Sequence, residues 1–174
     1  MKICIIGCGN LGCAIAYTLL CTHSGNAVSL HEPYGANRRR ATGEFWDLLP
    51  VAKATGNTLS LAKSIPPAEV YIVTSGLPRT DPKQPKSALF GVNLGIVSDS
   101  LRGAKKGAIV YVATNPPKEI CEVLVKQGID ARPLRKCTDS LRGRDAKNIN
   151  ARAFKGKGFT EWTPAWAMVK GVMG

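Results

Sequence analysis

The sequence has 174 residues, of which 44% are hydrophobic and 21% are charged, and 24 Lys and Arg against 12 Asp and Glu give a net charge of +12. The hydrophobic and charged fractions are ordinary for a folded domain and exclude a disordered or fibrous chain. No apolar run approaches the about 18 residues of a membrane helix, and the N-terminal "MKICIIG" lacks the features of a secretory signal, so we expect a cytoplasmic protein without membrane contact.

Apolar runs alternate with helical patterns from the first residue onward, which predicts successive β-α units around a parallel sheet. The first strand is predicted over Lys2 to Ile6 and the helix after it over Leu11 to Cys21. "NAVSLHE" then predicts a second strand over 26–32, and "ANRRRATGEFWDLL" predicts a helix over 36–49. "NTLSLAK", residues 57–63, is typical of a short third strand.

The alternation continues through the next part of the chain. "EVYIVTSG", residues 69–76, is an almost continuous apolar run and predicts a strand buried on both faces. "LPRTDPKQPK" at 77–86 is too irregular for a helix and long enough for a mobile flap. A helix over 87–103, a strand over 107–115 and a proline-initiated helix over 116–128 follow.

We therefore predict an α/β fold of the doubly wound Rossmann type, with strand order 3-2-1-4-5-6 and six strands complete by about residue 137. After Asp139 the apolar periodicity degrades until "FTEWTPAWAMVKGVMG" ends the sequence as a short amphipathic helix. The length accommodates one full Rossmann domain, which we expect over residues 1–145, with a smaller C-terminal unit over 146–174.

A glycine motif, "GCGNLG" at residues 7–12, lies between the first strand and the first helix and has the G-x-G-x-x-G spacing. Gly7 would allow a tight turn, Gly9 a close approach of backbone to a pyrophosphate, and Gly12 close packing of helix on strand. The motif predicts a dinucleotide site, with Asn10 and Leu11 completing its cradle.

An acidic residue, Glu32, follows the last glycine of the motif by 20 residues, at the end of the second strand. A carboxylate there would bind the ribose hydroxyls of adenosine and repel a 2′-phosphate, which favours NAD over NADP. The three arginines at 38–40 could reach such a phosphate, so NADP remains an alternative. A Rossmann-like fold that binds FAD, a nucleotide sugar or no nucleotide is a further alternative.

Cysteine and charge patterns bear on metal and nucleic-acid binding. The six cysteines include no C-x-x-C pair and have no histidine at zinc-ligand spacing, so we expect them to pack in the core and expect no metal site. Residues 131–157 carry nine basic and two acidic side chains, which would attract a phosphate, a dicarboxylate or a nucleic acid. Phe154 is the one aromatic residue of that stretch, which argues against nucleic acid as the partner.

Four stretches together resemble the lactate/malate dehydrogenase family over residues 1 to about 145: "EVYIVTSGLPR", "VNLGIV", "YVATNPP" and "TDSLRGR". The resemblance implies hydride transfer between NAD and C2 of a 2-hydroxy acid. It implies that Thr74 and Gly76 also contact the cofactor and that Asn115, placed with them in the cofactor site, contacts substrate or cofactor. It further implies that residues 146–174 are the remnant of a substrate domain.

The resemblance also implies residues for substrate. In "DSLR", Asp139 matches the aspartate that orients the family's catalytic histidine, and Arg142 matches the arginine that binds the substrate carboxylate. Arg79 matches the arginine that malate enzymes carry for a second carboxylate, which favours malate and oxaloacetate. Lys86 is nearest to the position of the arginine that polarises the substrate carbonyl.

The family's catalytic histidine has no counterpart, because the sequence contains only His23, in a turn, and His31, near the adenine end. We therefore expect activity to be weak or lost. The alternatives are a non-catalytic NAD(P)-binding module, a regulatory subunit with a partner chain, or a shortened form of a longer enzyme.

The C-terminal helix has two interpretations. It is similar to the family's late substrate-side helix, in which a threonine comparable to Thr160 lines the pocket, or it packs on the sheet through Trp162, Trp166 and Met168. A reduced substrate half would expose apolar surface, so we expect a homo-oligomer or a partner chain.

Overall fold

The computed structural model describes residues 1–81, 83–133 and 162–173. Six strands form one sheet: β1 (Lys2–Ile6), β2 (Ala27–His31), β3 (Thr58–Ala62), β4 (Val70–Val73), β5 (Ile109–Val112) and β6 (Asp130–Pro133). All neighbours pair in parallel, in the order β3-β2-β1-β4-β5-β6. The predicted doubly wound topology is confirmed.

Helices connect the strands: α1 (Asn10–Thr22), α2 (Arg38–Ala54), α3 (Phe90–Ser100), α4 (Pro117–Lys126) and a C-terminal helix α5 (Trp162–Met173). Short 3-10 turns at Gly35–Asn37 and Lys86–Leu89 precede α2 and α3. No described helix is long and apolar enough to cross a membrane.

Two helix ends differ from the sequence prediction. α2 continues past residue 49 and contains Pro50, because Leu48 and Ala52 on either side of the proline are buried and extend its apolar face. The packing of that face outweighs the local cost of a proline inside a helix. α3 ends at Ser100, short of the predicted 103, and Gly103 then turns the chain with a φ of +86°.

The sheet separates two hydrophobic clusters. Along β1, Ile3 and Ile5 face the cluster that α1, α2 and α5 cover, while Cys4 and Ile6 face the one that α3 and α4 cover. This alternation is the period of a strand buried on both faces. All four residues of β4 are buried, as the continuous apolar run predicted.

The C-terminal helix α5 packs along α1 and joins the first cluster. Its residues Ala165, Met168 and Val169 are buried there. This contact supports the interpretation that the helix packs on the domain. The helix does so by contacting α1. Thr160 lies outside the described residues, so its predicted role in a substrate pocket stays a prediction.

Parallel register brings the functional loops together. Ile6 pairs with both His31 and Val73, and Val73 pairs with Val112, so β1, β2, β4 and β5 end at the same edge of the sheet. The residues that follow these strands include most of the predicted cofactor contacts. Ligands of doubly wound sheets bind at this edge, where the strand order reverses.

Candidate cofactor site

Two glycines of the motif sit where no other residue fits. Gly7 has a φ of +98°, and a Cβ on it would lie 2.6 Å from the Ser75 backbone nitrogen. A Cβ on Gly12 would overlap the Gly7 carbonyl oxygen. The Gly7 N–H donates to the His31 carbonyl at 2.9 Å, which fixes the turn against the end of β2. The geometry matches the turn and packing roles that the motif assigns to these glycines.

Gly9 stands in open space. It is the N-cap of α1, and a Cβ on it would have no heavy atom within 4 Å. No side chain of the described residues caps the first turn of α1, which Asn10 and Leu11 begin. The free N–H groups and the positive end of the helix dipole therefore face this opening, and both favour an anion. The cradle fits a pyrophosphate.

The carboxylate of Glu32 is buried and held by main chain. Its Oε2 accepts the Cys8 N–H at 2.9 Å, and its Oε1 accepts the Tyr34 N–H at 3.1 Å. The residue is 5% exposed. Because a carboxylate oxygen accepts more than one hydrogen bond, both oxygens keep capacity for ribose hydroxyls. Its position beside the glycine turn fits the ribose contact expected from the sequence.

The loop after β4 is fastened to the glycine turn. Thr74 Oγ1 donates to the Gly7 carbonyl at 2.8 Å. Gly76 packs so closely that a Cβ on it would overlap the Thr114 methyl carbon. Thr74 and Gly76, both predicted to contact cofactor, therefore lie in the tightly packed junction between β1, β4 and β5.

The predicted substrate residues are only partly described. Arg79 lies in the loop after β4, where its Nη1 donates to the Gln84 carbonyl at 3.3 Å. Lys86 begins the 3-10 turn before α3. Asn115 follows β5 and forms a cis peptide bond with Pro116. Asp139 and Arg142 lie outside the described residues, so the structure does not bring the whole predicted substrate set together.

Arg40 makes a contact that its sequence position did not reveal. Its Nη2 donates to Asn10 Oδ1, and its guanidinium pairs with Glu44 at 3.5 Å. The side chain thus reaches from α2 to the first turn of α1, at the mouth of the cradle. The three arginines at 38–40 were predicted as possible ligands of a 2′-phosphate, and the described contacts of Arg40 are with Asn10 and Glu44.

The two histidines follow α1 and end β2. His23 caps the C-terminal end of α1 and shares a hydrogen bond of 2.8 Å with Thr22 Oγ1. His31 ends β2, is 7% exposed, and contacts the Ala62 carbonyl of β3 at 3.2 Å through Nδ1. That neither histidine reaches a substrate hydroxyl stays a prediction.

Asn93, on α3, was not among the residues predicted for the site. It is fully buried, and its amide contacts the main chain of Leu77 and Asn115 in the two loops just described. The available signal was its spacing, because Asn93, Val97 and Ser100 form the buried face of α3. An amide on such a face requires hydrogen-bond partners.

Four of the cysteines, Cys4, Cys8, Cys13 and Cys121, are free and buried. The expected burial is wrong for Cys21, which is exposed because it lies with Tyr17 on the solvent side of α1. Burial, with a smaller contribution from the Glu32 charge, raises the pKa of Cys8 to about 12, so the thiol stays protonated at neutral pH. Among the described residues, no group of three or more His, Cys, Asp or Glu is placed to hold a metal ion.

Comparison with known proteins finds a family model and a curated relative that both belong to the lactate/malate dehydrogenases. The family described as lactate/malate dehydrogenase, NAD binding domain, matches residues 1–133. A probable L-lactate dehydrogenase of Schizosaccharomyces pombe is 31% identical over 122 residues, which are 67% of this chain and 36% of that protein. The chain thus spans about a third of the length of this curated relative.

Solved structures share the fold. Malate dehydrogenase from Archaeoglobus fulgidus in complex with NADH has a TM-score of 0.73 at 18% identity, over 99% of this chain and 76% of that one. Malate dehydrogenase from Naegleria fowleri has a TM-score of 0.76 at 12% identity, over 98% and 75% of the two chains. At these identities the likeness establishes the architecture alone.

Proposed function

The chain belongs to the lactate/malate dehydrogenase family through its NAD binding domain, and from that membership we propose that it binds NAD(H) in the cradle of Gly7, Gly9 and Gly12. The observation that carries the proposal is the open, uncapped first turn of α1 at Gly9, directly beside the fixed carboxylate of Glu32. The pyrophosphate oxygens would accept hydrogen bonds from the backbone N–H groups of Asn10 and Leu11.

The two ends of the cofactor would lie on different loops. Glu32 would accept hydrogen bonds from the adenosine ribose. Thr74, Gly76 and Asn115 would line the nicotinamide end, because they follow β4 and β5 at the same sheet edge. Bound NAD(H) would supply the hydride chemistry, and the chain's own residues would orient it.

We propose NAD in preference to NADP. The Glu32 carboxylate is held by two backbone N–H groups, so its charge cannot easily turn away from a 2′-phosphate. Arg40 already donates to Asn10 and pairs with Glu44, so its guanidinium is engaged away from a 2′-phosphate in this proposal.

The proposed substrate is a 2-hydroxy acid, with malate and oxaloacetate favoured. Arg142 would bind the carboxylate beside the reacting carbon, with Asp139 next to it in the same motif, and Arg79 would bind a second carboxylate. Lys86 would supply positive charge near the substrate carbonyl. In this proposal residues 1–145 bind cofactor and 146–174 are a reduced substrate half, in a protein that associates with itself or with a partner chain.

Turnover would be slow, because the sequence has two histidines, and their described contacts are with Thr22 at the end of α1 and with Ala62 of β3. A general base typically contributes about 10² to 10⁴-fold to the rate. The positions of His23 and His31 therefore favour a second candidate function, an NAD-binding module without turnover.

Titration of the full chain with NADH, followed by cofactor fluorescence, tests the binding proposal. We expect a saturable signal, and no change up to millimolar NADH would overturn it. Oxaloacetate-dependent oxidation of NADH then separates the two candidates. A rate like that of ordinary family members would contradict the missing-base argument, whereas binding without oxidation would support the module. If Arg142→Ala leaves a measured rate unchanged, Arg142 does not bind the carboxylate.

A further inference from the structure

We infer that Asn93 is a positioning residue that sets the geometry of the nicotinamide end of the proposed site by joining the loops after β4 and β5. The inference rests on the proposed NAD(H) binding. Asn93 lies on α3 and is 0% exposed, so it acts through the residues it holds.

The hydrogen bonds of Asn93 fix its amide in one orientation. Oδ1 accepts the Leu77 N–H at 2.7 Å, and Nδ2 donates to the Leu77 carbonyl at 3.2 Å and to the Asn115 carbonyl at 2.7 Å. A backbone N–H only donates and a carbonyl only accepts, which decides which end of the amide faces which partner. Aspartate would lack both donated bonds, and an apolar residue would lack all three.

These bonds hold two loops at once. Leu77 precedes the proposed substrate residue Arg79 by two positions, and Asn115 is itself a proposed cofactor contact. Gly76 has no room for a Cβ, which would overlap Thr114 and lie 3.1 Å from Asn93 Oδ1. The loops are therefore packed as a unit, joined by the amide of Asn93 and by the Thr114 hydroxyl, which donates to the Ser75 carbonyl at 2.7 Å.

The adenosine end is held by different groups. Glu32 is fixed by the N–H groups of Cys8 and Tyr34, and the carbonyl of its neighbour His31 accepts the Gly7 N–H. The described hydrogen bonds of Asn93 go to Leu77 and Asn115. Loss of Asn93 should therefore disturb the nicotinamide half of the cofactor and leave the adenosine half in place.

The test compares two ligands in Asn93→Ala and Asn93→Asp, made in the full chain. NADH uses both halves of the site and AMP uses the adenosine half only, so their dissociation constants are measured in parallel by calorimetry. We expect NADH affinity to fall about tenfold in both variants while AMP affinity changes less than about twofold, since buried groups left unpaired distort the loops. Asn57→Ala and Asn57→Asp are the controls, because they change the same kind of buried amide at the opposite edge of the sheet, where it bonds to Asn26, Leu20 and His23. They should change neither affinity.

Three outcomes would overturn the inference. One is unchanged NADH affinity in both variants, and another is an equal loss of NADH and AMP affinity. The third needs no variant and covers the case in which both fail to fold: hydrogen exchange of the Leu77 amide in the wild-type protein at the rate of a free peptide. Absence of NADH binding to the wild type would instead overturn the proposed function.

Discussion

The carboxylate of Glu32 accepts the Cys8 N–H at 2.9 Å, so the residue that follows β2 holds the glycine turn that follows β1. Its second oxygen accepts the Tyr34 N–H at 3.1 Å. The proposed ribose ligand is thus also a structural support of the proposed pyrophosphate cradle. Changes at Glu32 should alter cofactor preference and stability together.

Replacing Glu32 by glutamine tests this double role. The amide keeps the shape of the side chain but removes its charge and offers a donor where two N–H groups need acceptors. We expect NADH affinity to fall about tenfold or more, NADPH to be disfavoured less than in the wild type, and unfolding free energy to fall by about 1–3 kcal/mol. Calorimetric titration and urea unfolding measure these effects. Glu122→Gln, at an exposed position in the middle of α4, is the matched control. Wild-type affinity for NADH in the Glu32 variant would contradict the ribose assignment.

The glycines of the cradle separate folding from binding. Gly9→Ala places its methyl group in open space, so the fold should survive while the methyl group obstructs a pyrophosphate and NADH affinity falls about tenfold or more. Gly12→Ala overlaps the Gly7 carbonyl, so the protein itself should be destabilised. Thermal unfolding and NADH titration of the pair are the measurements. If Gly9→Ala binds NADH like the wild type, the cradle does not hold the pyrophosphate.

The sequence predicted the sheet order because the strands of this fold are short apolar runs whose alternation with helices leaves few arrangements. The sequence also predicted the position of the glycine motif between β1 and α1, because the strand, the motif and the helix are contiguous in the chain. The predicted end of α2 was wrong because Pro50 is locally a helix-stop signal. The buried residue Ala52, which favours continuing the helix, follows that proline. The roles of Asn93 and Arg40 depend on partners far away in the sequence, 22 residues for Asn93 with Asn115 and 30 for Arg40 with Asn10, and local patterns do not contain them.

Arg40→Ala tests which phosphate the arginine serves. The side chain contacts Asn10 at the first turn of α1, so its loss should weaken NADH and NADPH about equally, by roughly two- to fivefold for one exposed charge. Raising the salt concentration should reduce the difference between variant and wild type. Arg39→Ala, one position earlier, removes the same charge and should have the smaller effect. Loss of NADPH binding alone would assign Arg40 to a 2′-phosphate instead.

The buried thiols predict a loss of stability in alkali. Burial raises the pKa of Cys4 from 9.0 to about 12, and the pKa of Cys121 shifts likewise. Between pH 9 and 12 the unfolded chain therefore releases thiol protons that the folded protein retains. The contribution of these thiols to the free energy of unfolding should not change with pH below pH 9. Above pH 9 the free energy of unfolding should fall by up to about 1.4 kcal/mol per pH unit for each such thiol.

Urea unfolding at a series of pH values measures this slope, and one pair of variants assigns it. Cys4→Ala removes a buried thiol, so the variant should be less stable below pH 9 and lose less stability above it. Val97→Ala also truncates a fully buried side chain but leaves every thiol in place. It should lower stability by a similar amount and keep the wild-type slope. Equal slopes in the two variants would mean that the Cys4 thiol ionises as readily in the folded protein as in the unfolded chain.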